Sequence, residues 1–225
     1  MITIKGICYI IAACKDFAEK IEFSPDKNDI VIAADGGYDI LTETQIIPDI
    51  LLGDFDSIEK VPEHKEIIKH PSEKDDTDTF LAYKLGFEKE YRNFVIFGGI
   101  GGRIDHTVAN IRTLSDIAEN GGRGFLIGND AVLTVIKDKI EFPKNSNGYI
   151  SIFSNQKDTV VTEKGLKYTL KNALLSPSTT LGTSNEFVGE RAQISVKNGS
   201  LLVVWYENQK KFLKNLNYYT KKNFD

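Results

Sequence analysis

The chain changes character near its middle, and this change limits the folds that it can adopt. Over the first ~135 residues, short β-branched and aromatic runs alternate with segments of helical spacing, the order typical of a parallel sheet with crossover helices. Beyond about residue 138, short apolar and polar alternations are separated by turn residues, which predicts antiparallel strands. We therefore predict an α/β fold, with a mostly parallel α/β domain at residues 1–138 and an antiparallel β domain at residues 139–225.

Individual elements follow from the same patterns. The strands predicted in the first part are Gly6–Ala13, Asp29–Ala34, Ile50–Leu52, Ile67–Lys69, Phe94–Phe97 and Gly124–Ile127. The helices predicted there are Tyr38–Thr44, Thr77–Phe87 and Ile104–Glu119, and the last has an apolar stripe that begins with Ile104 and Val108.

Turn residues organise the second part. Asn147-Gly148 and Asn198-Gly199 are pairs typical of tight hairpin turns. The second pair is flanked by Ala192–Val196 and Leu201–Tyr206, so we predict that these two segments form a hairpin. No helix is predicted in this part before the last dozen residues.

Composition and charge argue against several classes of protein. The 225 residues have a net charge of −4, which leaves no broad basic surface for nucleic acid. The apolar run Gly6–Ala13 is too short to span a bilayer and no other segment approaches that length, so we predict no membrane association. Cys8 and Cys14 lie in or beside this run as expected free thiols, which indicates a reducing cytoplasm.

Three acidic clusters follow the ends of apolar runs, at Ala34–Gly37, Leu52–Ser57 and Lys74–Asp78. Grouped carboxylates on loops suit Mg²⁺, which is usually held by one or two carboxylates together with phosphate oxygens and water. Asp54 and Asp56 follow a predicted strand, where ligands bind in open α/β sheets, and in an extended chain both carboxylates point the same way. Such a pair predicts a metal or a raised pKa, although a polar turn explains it equally well.

The third cluster opens the predicted helix Thr77–Phe87. If Asp75 is the cap, Asp75 and Asp78 share a face at the positive end of the helix, where a metal-bound phosphate is favoured. The alternative is simple helix capping by these acids.

A glycine-rich segment, Phe97–His106, joins a strand to a helix. Its glycines let backbone amides approach an anion, and Arg103 can bind phosphate oxygens through its planar guanidinium, while Asp105 can cap the helix. The segment lacks the third glycine of a dinucleotide fingerprint, and no Walker motif occurs in the chain. The three histidines have no zinc-ligand spacing.

Taken together, the ordered segments ADGGYD, PDILLGDFDS, KDDTDTFLAYK, FGGIGGRIDHTVANI and TLGTSNE resemble the thiamine pyrophosphokinase (thiamine diphosphokinase) family. The resemblance implies an α/β domain, a C-terminal β-sandwich-like domain and a homodimer with active sites at the subunit interface. It also implies transfer of the pyrophosphoryl group of ATP to the thiamine hydroxyl with Mg²⁺, which gives AMP and thiamine diphosphate.

The resemblance assigns roles to residues at matching positions. Metal binding and catalysis are implied for Asp54, Asp56, Asp75 and Asp78, and catalysis also for Arg103. Contact with the nucleotide or its phosphates is implied for Asp35, Gly36, Gly37, Lys74, Thr77, Arg103 and Asp105. Contact with thiamine is implied for Thr183, Ser184, Asn185 and Tyr168.

Two other functions remain open at this stage. Clustered aspartates also suit a metal-dependent phosphoesterase or pyrophosphatase that activates water. A non-catalytic module that binds nucleotide or thiamine is the other alternative. The residues do not determine whether Asp54 or Asp56 accepts the proton of the attacking alcohol.

Overall fold

The computed structural model describes residues 5–14, 17, 20–55, 63–71, 73 and 75–220. Its strands are β1 Ile7–Ile11, β2 Ile30–Ala34, β3 Ile50–Gly53, β4 Ile67–Lys69, β5 Asn93–Phe97, β6 Arg123–Ile127, β7 Ala131–Ile136, β8 Lys139–Phe142, β9 Tyr149–Ser154, β10 Thr159–Lys164, β11 Ala173–Leu175, β12 Asn185–Glu186, β13 Ala192–Asn198 and β14 Leu201–Tyr206. Its helices are α1 Gly37–Leu41, α2 Asp78–Glu88, α3 Ile104–Glu119 and α4 Gln209–Tyr219.

The strands form two sheets. The larger sheet has ten strands in the order β12-β9-β14-β7-β6-β5-β1-β2-β3-β4, and the smaller has four in the order β11-β10-β13-β8. Strands β1 to β6 run parallel to their neighbours, whereas β7 joins β6 in the antiparallel sense and β14, β9 and β12 continue that way. The predicted α/β class, with a mostly parallel sheet and an antiparallel sheet, is confirmed.

Burial along a strand shows whether one or both of its faces are covered. Every residue of β2 is buried, because helices or a second sheet cover both faces of the parallel region. By contrast, β10 and β14 bury alternate residues, as strands with one buried face do. A continuous apolar run is therefore the sequence signal of a strand that is covered on both faces.

Two cores lie on opposite faces of the large sheet. One face packs against α2 and α3 through side chains such as Ile10 and Leu114. The other face, which includes Ile11, packs against α1, the small sheet and α4. Adjacent residues of β1 therefore belong to different cores, as the alternation of side chains along a strand requires.

The predicted Asn-Gly hairpins are wrong. Strand β13 pairs with β8 and β10 in the small sheet, whereas β14 pairs with β7 and β9 in the large one. Strands β8 and β9, on either side of Asn147-Gly148, also belong to different sheets. Gly148 and Gly199 do have positive φ angles of 83° and 86°. The turn residues specified the reversal of the chain, but packing of the buried faces decided that the strands lie in stacked sheets.

The predicted boundary at residue 138 falls between β7 and β8. Strands from both sides of that boundary belong to the ten-stranded sheet. The division into residues 1–138 and 139–225 stays a prediction. Among the described residues, no helix is both long and apolar enough to cross a membrane.

The C-terminal helix is anchored to the junction of the two sheets. Its side chains Phe212 and Tyr219 lie against Phe125, at ring-centroid distances of 5.3 and 6.2 Å. The buried carboxylate of Glu207 accepts hydrogen bonds from Trp205 Nε1 at 3.1 Å and from the Tyr219 hydroxyl at 2.8 Å. Helix α4 therefore completes the core behind the large sheet.

Candidate active site

The predicted acidic and glycine segments lie at one edge of the large sheet. Asp35 follows β2, Asp54 follows β3, and the glycine segment follows β5, so all three come after the carboxyl ends of parallel strands. The order of the strands reverses at β1, which lies between β5 and β2. Ligands of open α/β sheets bind in the crevice at such a reversal.

The loops at this edge contact one another. The backbone N–H of Asp35 donates to the Leu52 carbonyl at 2.7 Å, so the loop after β2 is joined to the end of β3. A Cβ atom at Gly37 would lie 2.0 Å from the Ile11 carbonyl oxygen, which shows how closely α1 approaches the end of β1. A side chain at Gly37 would force these two segments apart.

The loop after β3 differs from the predicted extended geometry. Phe55 has a φ of 60°, in the left-handed region that a bulky residue rarely adopts, and its side chain is buried. The expectation that the chain is extended across Asp54 and Asp56 is therefore wrong at Phe55, because burial of the aromatic ring turns the backbone. Asp56 itself, like Lys74, lies outside the described residues. Backbone strain of this kind is often found at functional sites.

Thr77 caps helix α2. Its hydroxyl accepts a hydrogen bond from the backbone N–H of Phe80 at 3.3 Å, and its φ and ψ angles are extended. The condition that Asp75 is the cap is not met, because the hydroxyl two residues later takes that position. Asp78 lies in the first turn, where a carboxylate is favoured by the helix dipole.

The glycine segment is held from two sides. On one side, the Cys14 thiol donates to the Ile100 carbonyl at 3.1 Å. On the other, the buried Asn110 of α3 donates from Nδ2 to the Gly99 carbonyl at 2.8 Å. The sequence predictions missed both residues, although an asparagine among the apolar residues of a helix is a signal of a buried polar contact.

Arg103 and Asp105 form a two-point ion pair at the start of α3. Arg103 Nε and Nη2 donate to the two carboxylate oxygens of Asp105 at 3.1 and 2.5 Å, and both side chains are exposed. This hydrogen-bonded pairing raises the pKa of Arg103 and lowers that of Asp105. The N-cap of α3 is Arg103, so the possible capping role of Asp105 is not the one that the structure has; Asp105 lies in the first turn. The guanidinium has further N–H groups, which can donate to a second acceptor such as a phosphate.

The predicted apolar stripe of α3 is only partly buried. Leu114 and Ile117 are fully covered, whereas the side chains of Ile104 and Val108 are 80% and 49% exposed. Helical spacing correctly predicted one apolar face. It did not predict that Ile104 and Val108, in the first two turns of that face, are exposed.

The predicted thiamine segment lies at the other end of the large sheet. Ser184 has a φ of 57°, and its N–H donates to Ser151 Oγ at 2.9 Å. Thr183 bonds to the Thr180 carbonyl at 2.7 Å. The structure brings these residues together with Asn185 and Tyr168, because the Asn185 side chain bonds to both the N–H and the carbonyl of Tyr168. The Tyr168 ring is exposed.

We call the end of the large sheet that carries Asp35 and Asp54 the acidic edge. Within one chain, this edge and the predicted thiamine segment are far apart. The strand order from β12 to β2 is β12-β9-β14-β7-β6-β5-β1-β2. At about 4.8 Å for each strand spacing, the separation along the sheet is roughly 34 Å. A molecule of the size of thiamine cannot bridge that distance.

Comparisons with known proteins agree over both halves of the chain. Residues 24–125 match the family description "Thiamin pyrophosphokinase, catalytic domain", and residues 137–201 match "Thiamin pyrophosphokinase, vitamin B1 binding domain". The chain is 30% identical to the thiamine pyrophosphokinase of Bacillus subtilis over 210 residues, which cover 89% of this chain and 98% of that protein. The chain belongs to the thiamine pyrophosphokinase family. It is thus similar to enzymes of the kinase-type transferase class, and its family acts in thiamine diphosphate biosynthesis.

Further relatives of the thiamine pyrophosphokinase family support this assignment. Thiamin pyrophosphokinase 1 of Caenorhabditis elegans is 30% identical over 189 residues, which cover 76% of each chain. The crystal structure of the B. subtilis enzyme has a TM-score of 0.79 at 26% identity, and covers 90% of this chain and 99% of its own. The enzyme from Geobacillus thermodenitrificans has a TM-score of 0.77 at 26% identity, with coverages of 91% and 99%.

The donor set at the acidic edge fits the Mg²⁺ that the family resemblance implies. Asp54, Asp75 and Asp78 are carboxylates on loops or at a helix start, which is the ligand type of a hard cation. Among the described residues, no three or more His, Cys, Asp or Glu side chains are grouped to hold a metal. Mg²⁺ does not require such a group, since substrate phosphates and water complete its coordination.

Proposed function

We propose that this protein transfers the pyrophosphoryl group of ATP to the hydroxyethyl oxygen of thiamine, with AMP and thiamine diphosphate as products. Family membership over both halves of the chain carries this proposal. The proposed reaction takes place in the cytoplasm, where Cys8 and Cys14 remain free thiols as they are here.

The residues of the acidic edge have the proposed tasks of binding and orientation. Asp54, Asp56, Asp75 and Asp78 hold Mg²⁺, which when bound neutralises the polyphosphate of ATP. Lys74, Thr77 and Arg103 bind phosphate oxygens, and Asp105 orients Arg103 through their ion pair. Asp35, Gly36 and Gly37 line the nucleotide. Catalysis of phosphoryl transfer depends mainly on such positioning and charge stabilisation.

The thiamine side of the proposed site is formed by Thr183, Ser184 and Tyr168, with Asn185 as the residue that joins them. Tyr168 offers an exposed ring on which an aromatic cation such as thiamine can stack. The Asn185 side chain is 2% exposed and all its bonds are internal, so its contribution to this site is to hold the segment in place.

The separation of roughly 34 Å between the two parts, at ordinary strand spacing, supports a homodimer. In a two-fold dimer, the acidic edge of one subunit can face the thiamine segment of the other. The exposed Ile104 and Val108, next to Arg103, are apolar side chains suited to such an interface. Each active site then contains residues from both subunits, and the domains proposed at residues 1–138 and 139–225 meet across the interface.

The reaction is tested by incubating the purified protein with Mg²⁺, ATP and thiamine. We expect AMP and thiamine diphosphate in equal amounts, and no AMP when thiamine is omitted. Phosphate or pyrophosphate release without thiamine would instead indicate a phosphoesterase or pyrophosphatase. Binding of both substrates without any product would indicate a non-catalytic module.

The shared site is tested at a thiamine concentration well below the wild-type KM, by mixing two variants that each lose most of their activity there, Asp54→Asn and Asn185→Ala. If each site uses both subunits, every mixed dimer has one intact site. Since half of the dimers are mixed after equal exchange and each has one working site of two, activity should return to about a quarter of the wild-type value. Absence of any recovery, with mixed dimers verified by differently tagged subunits, would place the site within one subunit.

Arg103→Lys tests the planar guanidinium. Lysine keeps the charge but cannot bind two carboxylate or phosphate oxygens in the same plane, so kcat/KM for ATP should fall about 10–100-fold. The KM for thiamine and the unfolding temperature should not change, because the Arg103–Asp105 pair is exposed. Steady-state kinetics measure kcat/KM for ATP and the KM for thiamine, and thermal unfolding measures the stability. Arg112→Lys, at an exposed position on the same helix, is the matched control.

A further inference from the structure

A buried acid lies directly behind the proposed thiamine segment. Glu163 occupies an inward position of β10 and is 2% exposed. Its Oε2 accepts a hydrogen bond from Asn185 Nδ2 at 3.3 Å, and its Oε1 has no hydrogen-bond partner among the residues that the structure describes. An acid on the inner face of an alternating strand is unusual, because most such positions are apolar.

The Asn185 side chain uses its full hydrogen-bonding capacity. Its Oδ1 accepts from the N–H groups of Tyr168 and Glu186, both at 2.9 Å. Its Nδ2 donates to the Tyr168 carbonyl at 2.6 Å and to Glu163. An asparagine amide has two donors and two acceptor positions, so all four are satisfied.

Glu163 is the one side chain among the four groups that fix the orientation of this amide. If the amide were reversed, its oxygen would face the Glu163 and Tyr168 oxygens, and its nitrogen would face two N–H donors. Without Glu163, one donor of Asn185 is buried without an acceptor, which favours a shift of the side chain or of the whole segment.

The same bonds couple Asn185 to the surface of the segment. Ser184 precedes Asn185 directly and has a positive φ of 57°, a conformation that must be held by its surroundings. Tyr168, whose backbone is bound at two points by Asn185, presents its ring to solvent. Displacement of Asn185 would move Ser184 and Tyr168, the two residues for which we propose contact with thiamine.

Burial also governs the charge of the acid. Loss of hydration raises the pKa of Glu163 to about 7, while the bond from Asn185 opposes this rise. Glutamine therefore resembles the neutral form of Glu163 in shape, charge and ability to accept from Asn185. This makes Glu163→Gln a conservative replacement.

We propose that Glu163 is a positioning residue for thiamine, which acts through Asn185 to fix the arrangement of Ser184 and Tyr168. The proposal rests on the thiamine role that we propose for this segment. It assigns Glu163 an effect on the binding of thiamine and none on the binding of ATP.

The test compares Glu163→Leu with Glu163→Gln in steady-state kinetics. We expect Glu163→Leu to raise the KM for thiamine about tenfold, since one unpaired buried donor costs enough for such a factor. The KM for ATP should stay within about twofold in the same variant. The thiamine KM of Glu163→Gln should stay near the wild-type value.

The matched control is Glu141→Gln. Glu141 lies in the same small sheet and accepts from the amide of Gln193 at 3.0 Å, but it does not contact the thiamine segment. This variant should have wild-type kinetics. Should Glu163→Leu fail to fold, Glu163→Met provides the second variant, because its flexible side chain fills the same space without a strong acceptor for Asn185 and should raise the thiamine KM to a similar degree.

An unchanged thiamine KM in Glu163→Leu, or an equal rise in the KM values for thiamine and ATP, would overturn the proposal. So would a thiamine KM in Glu163→Gln as high as that in Glu163→Leu. These outcomes differ from failure of the proposed function, in which the wild-type protein itself forms no AMP with thiamine.

Discussion

Replacing Asp54 with asparagine should lower kcat about 10³-fold while the protein stays folded. The substitution keeps the size of the side chain but removes a charge at the end of β3, where the proposed Mg²⁺ and polyphosphate are bound. Loss of one electrostatic contact at a transition state of this kind typically reduces turnover by about 10²–10³-fold, and a lost proton acceptor adds to it. The measurement is thiamine-dependent AMP formation at saturating ATP and thiamine.

Asp130→Asn provides the control for Asp54→Asn. Asp130 is an exposed acid in the turn between β6 and β7, and its replacement should leave kcat unchanged. Circular dichroism and thermal unfolding should be the same for both variants and for the wild-type protein. A kcat of Asp54→Asn within about threefold of the wild-type value would contradict the catalytic role of this residue.

The second large effect concerns stability. Replacing Phe212 with alanine should lower the free energy of unfolding by about 3–5 kcal/mol, because a fully buried aromatic ring is removed and a cavity remains. This is a substantial share of the 5–15 kcal/mol that typically stabilises a folded protein. Phe212 packs on Phe125 and on Tyr219, so the loss affects the attachment of α4 to the large sheet.

Urea denaturation followed by tryptophan fluorescence measures this change. Trp205 is the single tryptophan of the chain and is buried in the same core, so its emission reports on this region. Lys214→Ala, at an exposed position of α4, is the control and should change the free energy of unfolding by less than about 0.5 kcal/mol. A loss below about 1 kcal/mol in Phe212→Ala would mean that α4 contributes little to the core.

The sequence predicted the parallel half of the fold well because its signals are local. Strands such as β2 are covered on both faces, which produces an apolar run that is visible without any partner. The helix predicted at Ile104–Glu119 has the same bounds in the structure. The order of segments at strand ends also located Asp35 and Asp54 at one edge of the sheet.

The remaining features depend on contacts between distant segments. Nothing in the Asn198-Gly199 turn distinguishes a hairpin from a connection between stacked sheets, since both need only a reversal of the chain. The internal bonds of Asn185 involve Tyr168 and Glu163, which are 17 and 22 residues away. The alternation of β10 marks Glu163 as an inward-facing acid. Nothing in the sequence indicates that its partner is Asn185.

The continuous ten-stranded sheet also limits how this chain can be divided or rearranged. A fragment that ended at residue 138 would lose β14, the strand that covers the free edge of β7. A fragment that began at residue 139 would have β14 and β9 but would lack β7 on their open side. Each fragment would expose unpaired backbone N–H and carbonyl groups along an apolar strand, and such exposed edges promote aggregation. We therefore expect the two halves of the chain to fold and to be expressed only as one unit, although they match two separate family descriptions.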